Sequence, residues 1–398
     1  MTQLYQQKEL TPNQIKLIKE TVPILEQAGE TLTAKFYKRM LGGYDEVKPF
    51  FNETDQKLLR QPRILAYSLL NYARNIEDLT PLLGFVAQIV SKHVGLQVKA
   101  EHYPIVGSCL IETMKEILPA EIATQEFIEA WSIAYGNLAA ILIDLEANEF
   151  KKEPWNNFKE FKVTRMIEEC PEVKSVYFTP VDGGEIAPVK PGQYVCIRWM
   201  TPGAKFEKSR EYSISQPPRN NEYRISVRKL PGGVVSTYIH EQLKVGDILR
   251  VAPPNGNFIY DAEGAKKLTL LCGGIGITPL ISIMQAALSN GCEKITLLYS
   301  NRTDDSRAFG PFLSDLSKQN PGKLEIIEFF DGAYSGKHSI EGAQVYERAV
   351  QTGDLDKYTE NGEDVYLLGP RGYMKFIKEY LGKKGTEVKL EYFGPYDP

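Results

Sequence analysis

Several groups of residues in this chain have the types and spacing to do chemistry. Gly273-Gly274-Ile275-Gly276-Ile277-Thr278-Pro279 follows an apolar run and leads into a helical pattern. Its glycines let backbone approach a pyrophosphate, Thr278 is expected to cap the helix and Pro279 to occupy its first turn, and the helix N-terminus offers N–H groups to an anion. A tight strand–helix turn with nothing bound would read the same way. Gly369-Pro370 closes another apolar run, and two such loops at one edge of a parallel sheet point to nucleotide binding. Arg210-Glu211-Tyr212-Ser213 sets a guanidinium and a phenol ring on the same side of a strand, able to hold a phosphate and stack on a planar heterocycle. Gly232-Gly233-Val234-Val235-Ser236 then offers glycine backbone and a hydroxyl ahead of a short helix over 237–242.

A second kind of chemistry is possible near the start. His93 continues the apolar stripe of Val86, Ile89 and Val90 and so faces inward. A lone histidine on an apolar face is more often a hydrogen-bonded structural residue, and it is the neighbours of His93 that point elsewhere. Tyr103 lies within reach if the chain turns at Gly95, and Glu146 shares the stripe of Leu138 and Leu142. A buried carboxylate needs a partner, and a His–Glu–Tyr cluster would supply one; a carboxylate behind a metal-ligating imidazole raises the ligand's basicity. A helix-end glutamate reaching solvent also matches the spacing. Tyr37 and Gln61, with Leu65 one turn beyond Gln61, read by periodicity as a buried tyrosine and a surface amide.

The elements that must position these residues change style along the chain. Residues 1–150 hold only 7 of the 32 glycines and 7 of the 24 prolines. Stripes such as Phe127, Trp131, Tyr135, Leu138 and Leu142, with Thr11-Pro12 as a helix opening, predict an all-α domain of six to eight helices. The polar stretch 151–157 suits a linker. Short β-rich runs over 175–181, 193–200, 223–230 and 247–251, separated by Gly and Pro turns, predict an antiparallel barrel. From Lys267 onward, strands over 267–272, 294–300, 324–330 and 364–368 alternate with helices over 279–289 and 371–381, the pattern of a doubly wound parallel sheet. The expected fold class is therefore multidomain: α, then β-barrel, then α/β.

Length and charge agree with three domains. The 398 residues carry a net charge of −4, which argues against a nucleic-acid partner. The apolar runs are too short for a membrane span, the N-terminus lacks a signal-peptide pattern, and the five cysteines form no CxxC. Thiols in a reducing cytoplasm are the expectation, with organelle targeting left open.

In their order along the chain, the Arg-x-Tyr-Ser, Gly-Gly, GGIGITP and Gly-Pro motifs resemble the ferredoxin–NADP reductase family. That resemblance implies an FAD-binding barrel that uses Tyr194, Arg210, Glu211, Tyr212, Ser213, Gly233 and Ser236. It also implies that Gly274, Ile275, Gly276, Ile277, Thr278 and Pro279, with Gly369 and Pro370, bind NADH or NADPH. Glu391-Tyr392-Phe393-Gly394-Pro395 matches the family's C-terminal segment, with Phe393 expected over the flavin ring. Leu368 and Tyr392 stand where relatives often carry cysteine, which implies altered packing or tuning, not loss of hydride transfer. Arg302 and Arg307 could meet a 2′-phosphate or be solvated loop charges, so the choice of NADH or NADPH stays open.

Residues 9–150 look like a globin, and the full chain resembles the flavohaemoglobins, particularly those of yeasts. The resemblance rests on Phe36-Tyr37-Lys38-Arg39-Met40, Phe51-Asn52, Gln61-Pro62, Lys92-His93, the run from Lys99 to Gly107, and Trp131 to Gly136. It implies haem b with His93 as proximal iron ligand and Tyr103 and Glu146 behind it. Tyr37, Gln61 and Leu65 would line the distal side, Phe51 would pack on the porphyrin, and Lys92 and Glu391 match tuning positions. The implied domains are 9–150 (globin), 151–158 (linker), 159–262 (FAD-binding barrel) and 263–398 (NAD(P)-binding). The implied activity is a nitric oxide dioxygenase acting on NO and O2 in nitrosative-stress defence, with no separate reductase. Alternatives are an NAD(P)H oxidase, an anaerobic NO reductase, or a haem-based O2 or NO sensor.

Overall fold

The computed structural model describes residues 4–51, 59–264, 266–359 and 363–393. Asn52, Gly394 and Pro395 lie outside that set. The chain divides into two compact units, one running to Asn157 and including Arg198–Ser209, the other holding Phe158–Ile197 and Arg210–Phe393.

The first unit is helical. Among the described residues up to 150 it contains six α-helices: α1 (Pro12–Glu20), α2 (Val22–Gly43), α3 (Arg60–Arg74), α4 (Leu83–Leu96), α5 (Tyr103–Ile117) and α6 (Gln125–Phe150). Thr11 caps α1, as its sequence predicts, in a reciprocal box with Gln14, and Thr124 caps α6 by accepting the Phe127 N–H; such caps are each worth about 1 kcal/mol. The predicted stripe of α6 is the spine of the core, with Phe127 and Trp131 almost wholly buried. By length and composition α6 could cross a membrane, yet it carries buried Glu146 and packs in this core. Thr33 on α2 donates to the Pro62 carbonyl at 2.8 Å, and a Cβ built on Gly29 would sit 3.3 Å from the Ala66 Cβ, so α2 and α3 approach closely.

One expected turn falls elsewhere. The chain does not turn at Gly95, which is buried inside α4; it turns at Gln97, whose φ is +60°. The Gln97 N–H bonds the Val94 carbonyl and the Val98 N–H bonds the His93 carbonyl at 2.8 Å, a closed C-terminal cap that needs a left-handed residue at this position.

Beyond the helices up to 150, the described residues form two sheets. In the antiparallel sheet the order is β4-β3-β6-β1-β2-β5, built from β1 (Lys159–Cys170), β2 (Val173–Pro180), β3 (Tyr194–Trp199), β4 (Lys208–Ser213), β5 (Tyr223–Arg228) and β6 (Ile248–Val251). Strand β1 was not expected: its charged, bulged stretch lacks clean alternation, and pairing with β2 and β6 makes it a strand. A short helix, α7 (Val234–Glu241), follows β5, so Ser236 lies inside it instead of ahead of it.

The parallel sheet has the order β10-β9-β8-β7-β11-β12. Its strands are β7 (Lys267–Gly273), β8 (Lys294–Asn301), β9 (Leu324–Phe330), β10 (Gln344–Tyr346), β11 (Asp364–Leu368) and β12 (Val388–Leu390). Helices α8 (Ile277–Ser289), α9 (Gly310–Gln319), α10 (Thr352–Tyr358) and α11 (Arg371–Lys383) intervene. Strand order reverses between β7 and β11, and the two Gly-rich loops leave the carboxyl ends of those two neighbours.

Candidate functional site

In the helical unit, three side chains predicted from separate helices meet. Nδ1 of His93 lies 2.7 Å from Oε1 of Glu146 and 3.1 Å from the Tyr103 hydroxyl, while that hydroxyl donates to the same Glu146 oxygen at 2.6 Å. Glu146 is 2% exposed, which decides against a solvent-reaching glutamate. Burial, reinforced by the Glu146 charge, pushes the Tyr103 phenol far above its usual range, so it stays a proton donor.

Two partners escaped sequence reasoning. Tyr135 donates to the Tyr103 carbonyl at 2.6 Å, and a Cβ on Gly107 would come within 2.5 Å of the Tyr135 ring. Only glycine at 107 lets that ring pass. A Tyr on the α6 stripe opposite a Gly on the α5 stripe was the available signal.

The imidazole suits an iron porphyrin. Its Nδ1 is spent on Glu146 and Tyr103, whereas Nε2 makes no hydrogen bond among the described residues and the side chain is 32% exposed. An imidazole held through one nitrogen and open at the other is a ready metal ligand. In the same unit, Tyr37 packs edge-on against Phe51 at 5.5 Å between ring centroids. Burial raises its phenol pKa, and its hydroxyl has no hydrogen-bond partner among the described residues. Leu65 joins the same apolar cluster as Tyr37, and Gln61 lies half-buried in the first turn of α3. Lys92 immediately precedes His93 on α4 and is half-buried.

In the second unit, β4 presents Arg210, Glu211 and Tyr212 half-buried and ends at buried Ser213. Tyr194 on β3 is buried, and burial followed by the charges of Glu211 and Glu391 pushes its phenol pKa well up. Ser236 accepts the Leu230 N–H at 3.1 Å, and a Cβ on Gly233 would stand 2.5 Å from its oxygen. The N-terminus of α7 has no side-chain cap, leaving its N–H groups to a phosphate. Phe393 is 46% exposed and Tyr392 is covered, the latter with the Arg371 guanidinium 5.6 Å from its ring. Leu368 is wholly buried in the sheet core, where packing alone occupies it.

The Gly273–Gly276 loop and the Gly369-Pro370 loop are in direct contact. A Cβ on Gly273 would lie 2.6 Å from Pro370 Cδ, one on Gly276 would lie 2.7 Å from the Leu368 carbonyl carbon, and one on Gly369 would lie 2.9 Å from the Gly273 nitrogen. Gly274 has φ +54°. This is a bare-backbone cradle at the sheet edge, the geometry a pyrophosphate requires. Thr278 does not cap α8: Gly276 holds that position, and the Thr278 hydroxyl donates back to the Ile275 carbonyl at 3.0 Å. Ile275 and Gly276 form a 3₁₀ turn with Gly274, Ile277 begins α8, and Pro279 falls in the first helical turn.

Arg228 on β5 is a further residue missed from sequence. Its guanidinium stands 3.6 Å from where a Gly274 Cβ would be, and it donates to the Ser306 carbonyl at 2.8 Å. Arg307 is neither a loop charge nor available to a phosphate: it is 4% exposed, with Nε 2.9 Å from Oε1 of the wholly buried Glu328. Arg302 is exposed and makes no ion pair among the described residues.

Comparison with known proteins covers nearly the whole chain. Residues 34–142 match the globin family model, 160–260 the oxidoreductase FAD-binding domain and 270–379 the oxidoreductase NAD-binding domain. The chain is 61% identical over 400 residues to a flavohemoprotein of Candida albicans, covering 100% of both. It is 49% identical to one of Schizosaccharomyces pombe, covering 99% of this chain and 94% of that one. The crystal structure of a Malassezia yamatoensis flavohemoglobin with bound FAD and heme has the same fold, with a TM-score of 0.83 at 23% identity over 97% of this chain and 100% of that one. The FAD/NAD-binding domain of a nitric oxide dioxygenase from Vibrio cholerae matches 60% of this chain and 100% of its own, at 26% identity and a TM-score of 0.53.

Proposed function

Because the chain belongs to the flavohemoprotein family and is an oxidoreductase with globin, FAD-binding and NAD-binding domains, we propose that it is a nitric oxide dioxygenase. It converts NO and O2 to nitrate with electrons from NADH or NADPH, acting in the cytoplasm and needing no separate reductase chain. The observation that carries this reading is the pairing of a His93 imidazole backed by buried Glu146 with a Tyr37 hydroxyl that no described residue occupies. The similarity to the FAD/NAD-binding domain of the Vibrio cholerae nitric oxide dioxygenase supports it.

When bound, the nicotinamide supplies a hydride, the flavin divides it into single electrons, and haem b supplies the iron centre at which both gases react. The chain's own residues do the rest. Glu146 accepts the Nδ1 proton of His93, which reserves Nε2 for iron and makes it a stronger donor. Tyr103 pins the carboxylate, and Tyr135 pins the Tyr103 backbone. Tyr37 would offer its O–H to an anionic ligand of the haem, a charge-assisted bond stronger than a neutral one. Gln61 would assist, Leu65 packs in the same apolar cluster as Tyr37, and Phe51 braces the Tyr37 ring. Arg210, Tyr212 and the α7 N-terminus hold the flavin nucleotide, while the Gly273–Gly276 cradle takes the nicotinamide nucleotide.

The test is product analysis. Purified holoprotein given O2 and NADH or NADPH should consume NO and release nitrate. Consumption no faster than buffer, or nitrous oxide or peroxide in place of nitrate, would overturn the reading.

A further inference from the structure

We propose that Gln97 is a positioning residue for His93, fastening the end of the helix that carries it to the segment that follows α6. The proposal rests on the reading of His93 as the iron ligand. Gln97 is 3% exposed and adopts φ +60°. Glycine is the residue suited to that conformation, and any other costs about 1 kcal/mol or more there. A glutamine at this place is explained by what its side chain does.

The Gln97 amide is engaged on both sides. Nε2 donates to the Val94 carbonyl at 2.8 Å and to the Glu153 carboxylate at 3.0 and 3.2 Å. Oε1 accepts the Asn157 N–H at 3.0 Å. The backbone beside it closes on His93 itself, whose carbonyl receives the Val98 N–H. Two ties therefore join α4 to α6 and its continuation: His93 to Glu146, and one turn later Gln97 to Glu153 and Asn157. A shift of the α4 end along or about its axis cannot keep both.

The second tie is sensitive to protons. Burial pushes the Glu153 carboxyl up to about 7, against the opposing pull of the Gln97 amide. From α4, Gln97 faces it; Lys151 and Lys152, beside it in sequence, are turned to Asn148 and Glu149. No charged side chain faces Glu153 among the described residues. Ionised, Glu153 accepts from Gln97 through a charge-assisted contact; protonated, it holds the amide more weakly.

The experiment uses full-length, haem-loaded, reduced protein without added gas and follows the iron–histidine stretching band by resonance Raman from about pH 6 to about pH 8. The unmodified protein should show a step in band position centred near pH 7. Gln97→Gly keeps the left-handed cap, so folding is spared, and it should displace the band and abolish the step. Glu153→Gln should abolish the step as well, whereas Lys152→Ala should retain it. A Gln97→Gly band with unchanged position and pH profile, or no step in the unmodified protein, overturns the proposal. Absence of any iron–histidine band in the unmodified protein would instead overturn the ligand assignment of His93, a result distinguishable from the others.

Discussion

The His93 imidazole and the Glu146 carboxylate, which lie 53 residues apart in the chain, meet at 2.7 Å with the carboxylate almost wholly removed from water. Such a contact costs desolvation, and the Tyr103 hydroxyl offsets part of that cost by donating to the same Glu146 oxygen. Glu146→Gln should preserve the shape and remove the charge. NO consumption by the holoprotein should fall about 10- to 100-fold, the usual cost of losing a partner behind a metal ligand. Steady-state NO-electrode rates check this, and an unchanged rate would show that the carboxylate is only structural.

Tyr37→Phe should accelerate O2 dissociation, measured by stopped-flow. Because the hydroxyl has no hydrogen-bond partner among the described residues, stability should change by no more than about 0.5 kcal/mol. A large stability loss with an unchanged off-rate would contradict the role given to Tyr37.

Gly276→Ala places a methyl against the Leu368 carbonyl, where backbone, not a flexible side chain, must yield. The strain is about 1–3 kcal/mol, typical of overpacking. Flavin reduction by NADH or NADPH, followed by stopped-flow, should slow several-fold while the haem spectrum stays as it was. Equal damage to both cofactors would mean a global effect instead.

Arg302→Ala should raise the KM for NADPH and leave that for NADH unchanged if a 2′-phosphate is recognised at the end of β8. Arg307→Met should not discriminate between the two cofactors, since it breaks a buried pair. Its cost is stability, about 3–5 kcal/mol, read from urea unfolding.

Glu153 gives a pH signature in stability. Its folded value, about 7, is raised above the ordinary carboxyl value of 4.5, so the folded state holds the proton more tightly than the unfolded chain. Stability from this group is full below about 4.5 and is lost as pH rises through about 7. The change is on the order of 1–3 kcal/mol after discounting for partial exposure. Glu153→Gln should flatten that part of the unfolding profile.

Much of the fold was legible because local rules set it. Helical stripes, the Thr11 cap, Gly and Pro turns and the strand–helix alternation after Lys267 each follow from near neighbours in the chain. Strand β1 was hidden because its charges are tolerable only once β2 and β6 flank it. Thr278 looked like a cap because a tight 3₁₀ turn at 274–276 cannot be told from the loop it completes.

By itself, the sequence determined the catalogue of parts: a helical segment with an inward histidine, a strand with Arg-x-Tyr-Ser, and bare glycine loops at strand ends. Only the tertiary structure decided which carboxylates and cations were spent. It buried Glu146 behind His93 and sank Arg307 against Glu328. It also moved the turn after His93 from Gly95 to Gln97. The reason is physical: periodicity fixes the face on which a side chain stands, whereas the worth of a charge depends on desolvation and on partners that arrive from distant parts of the chain.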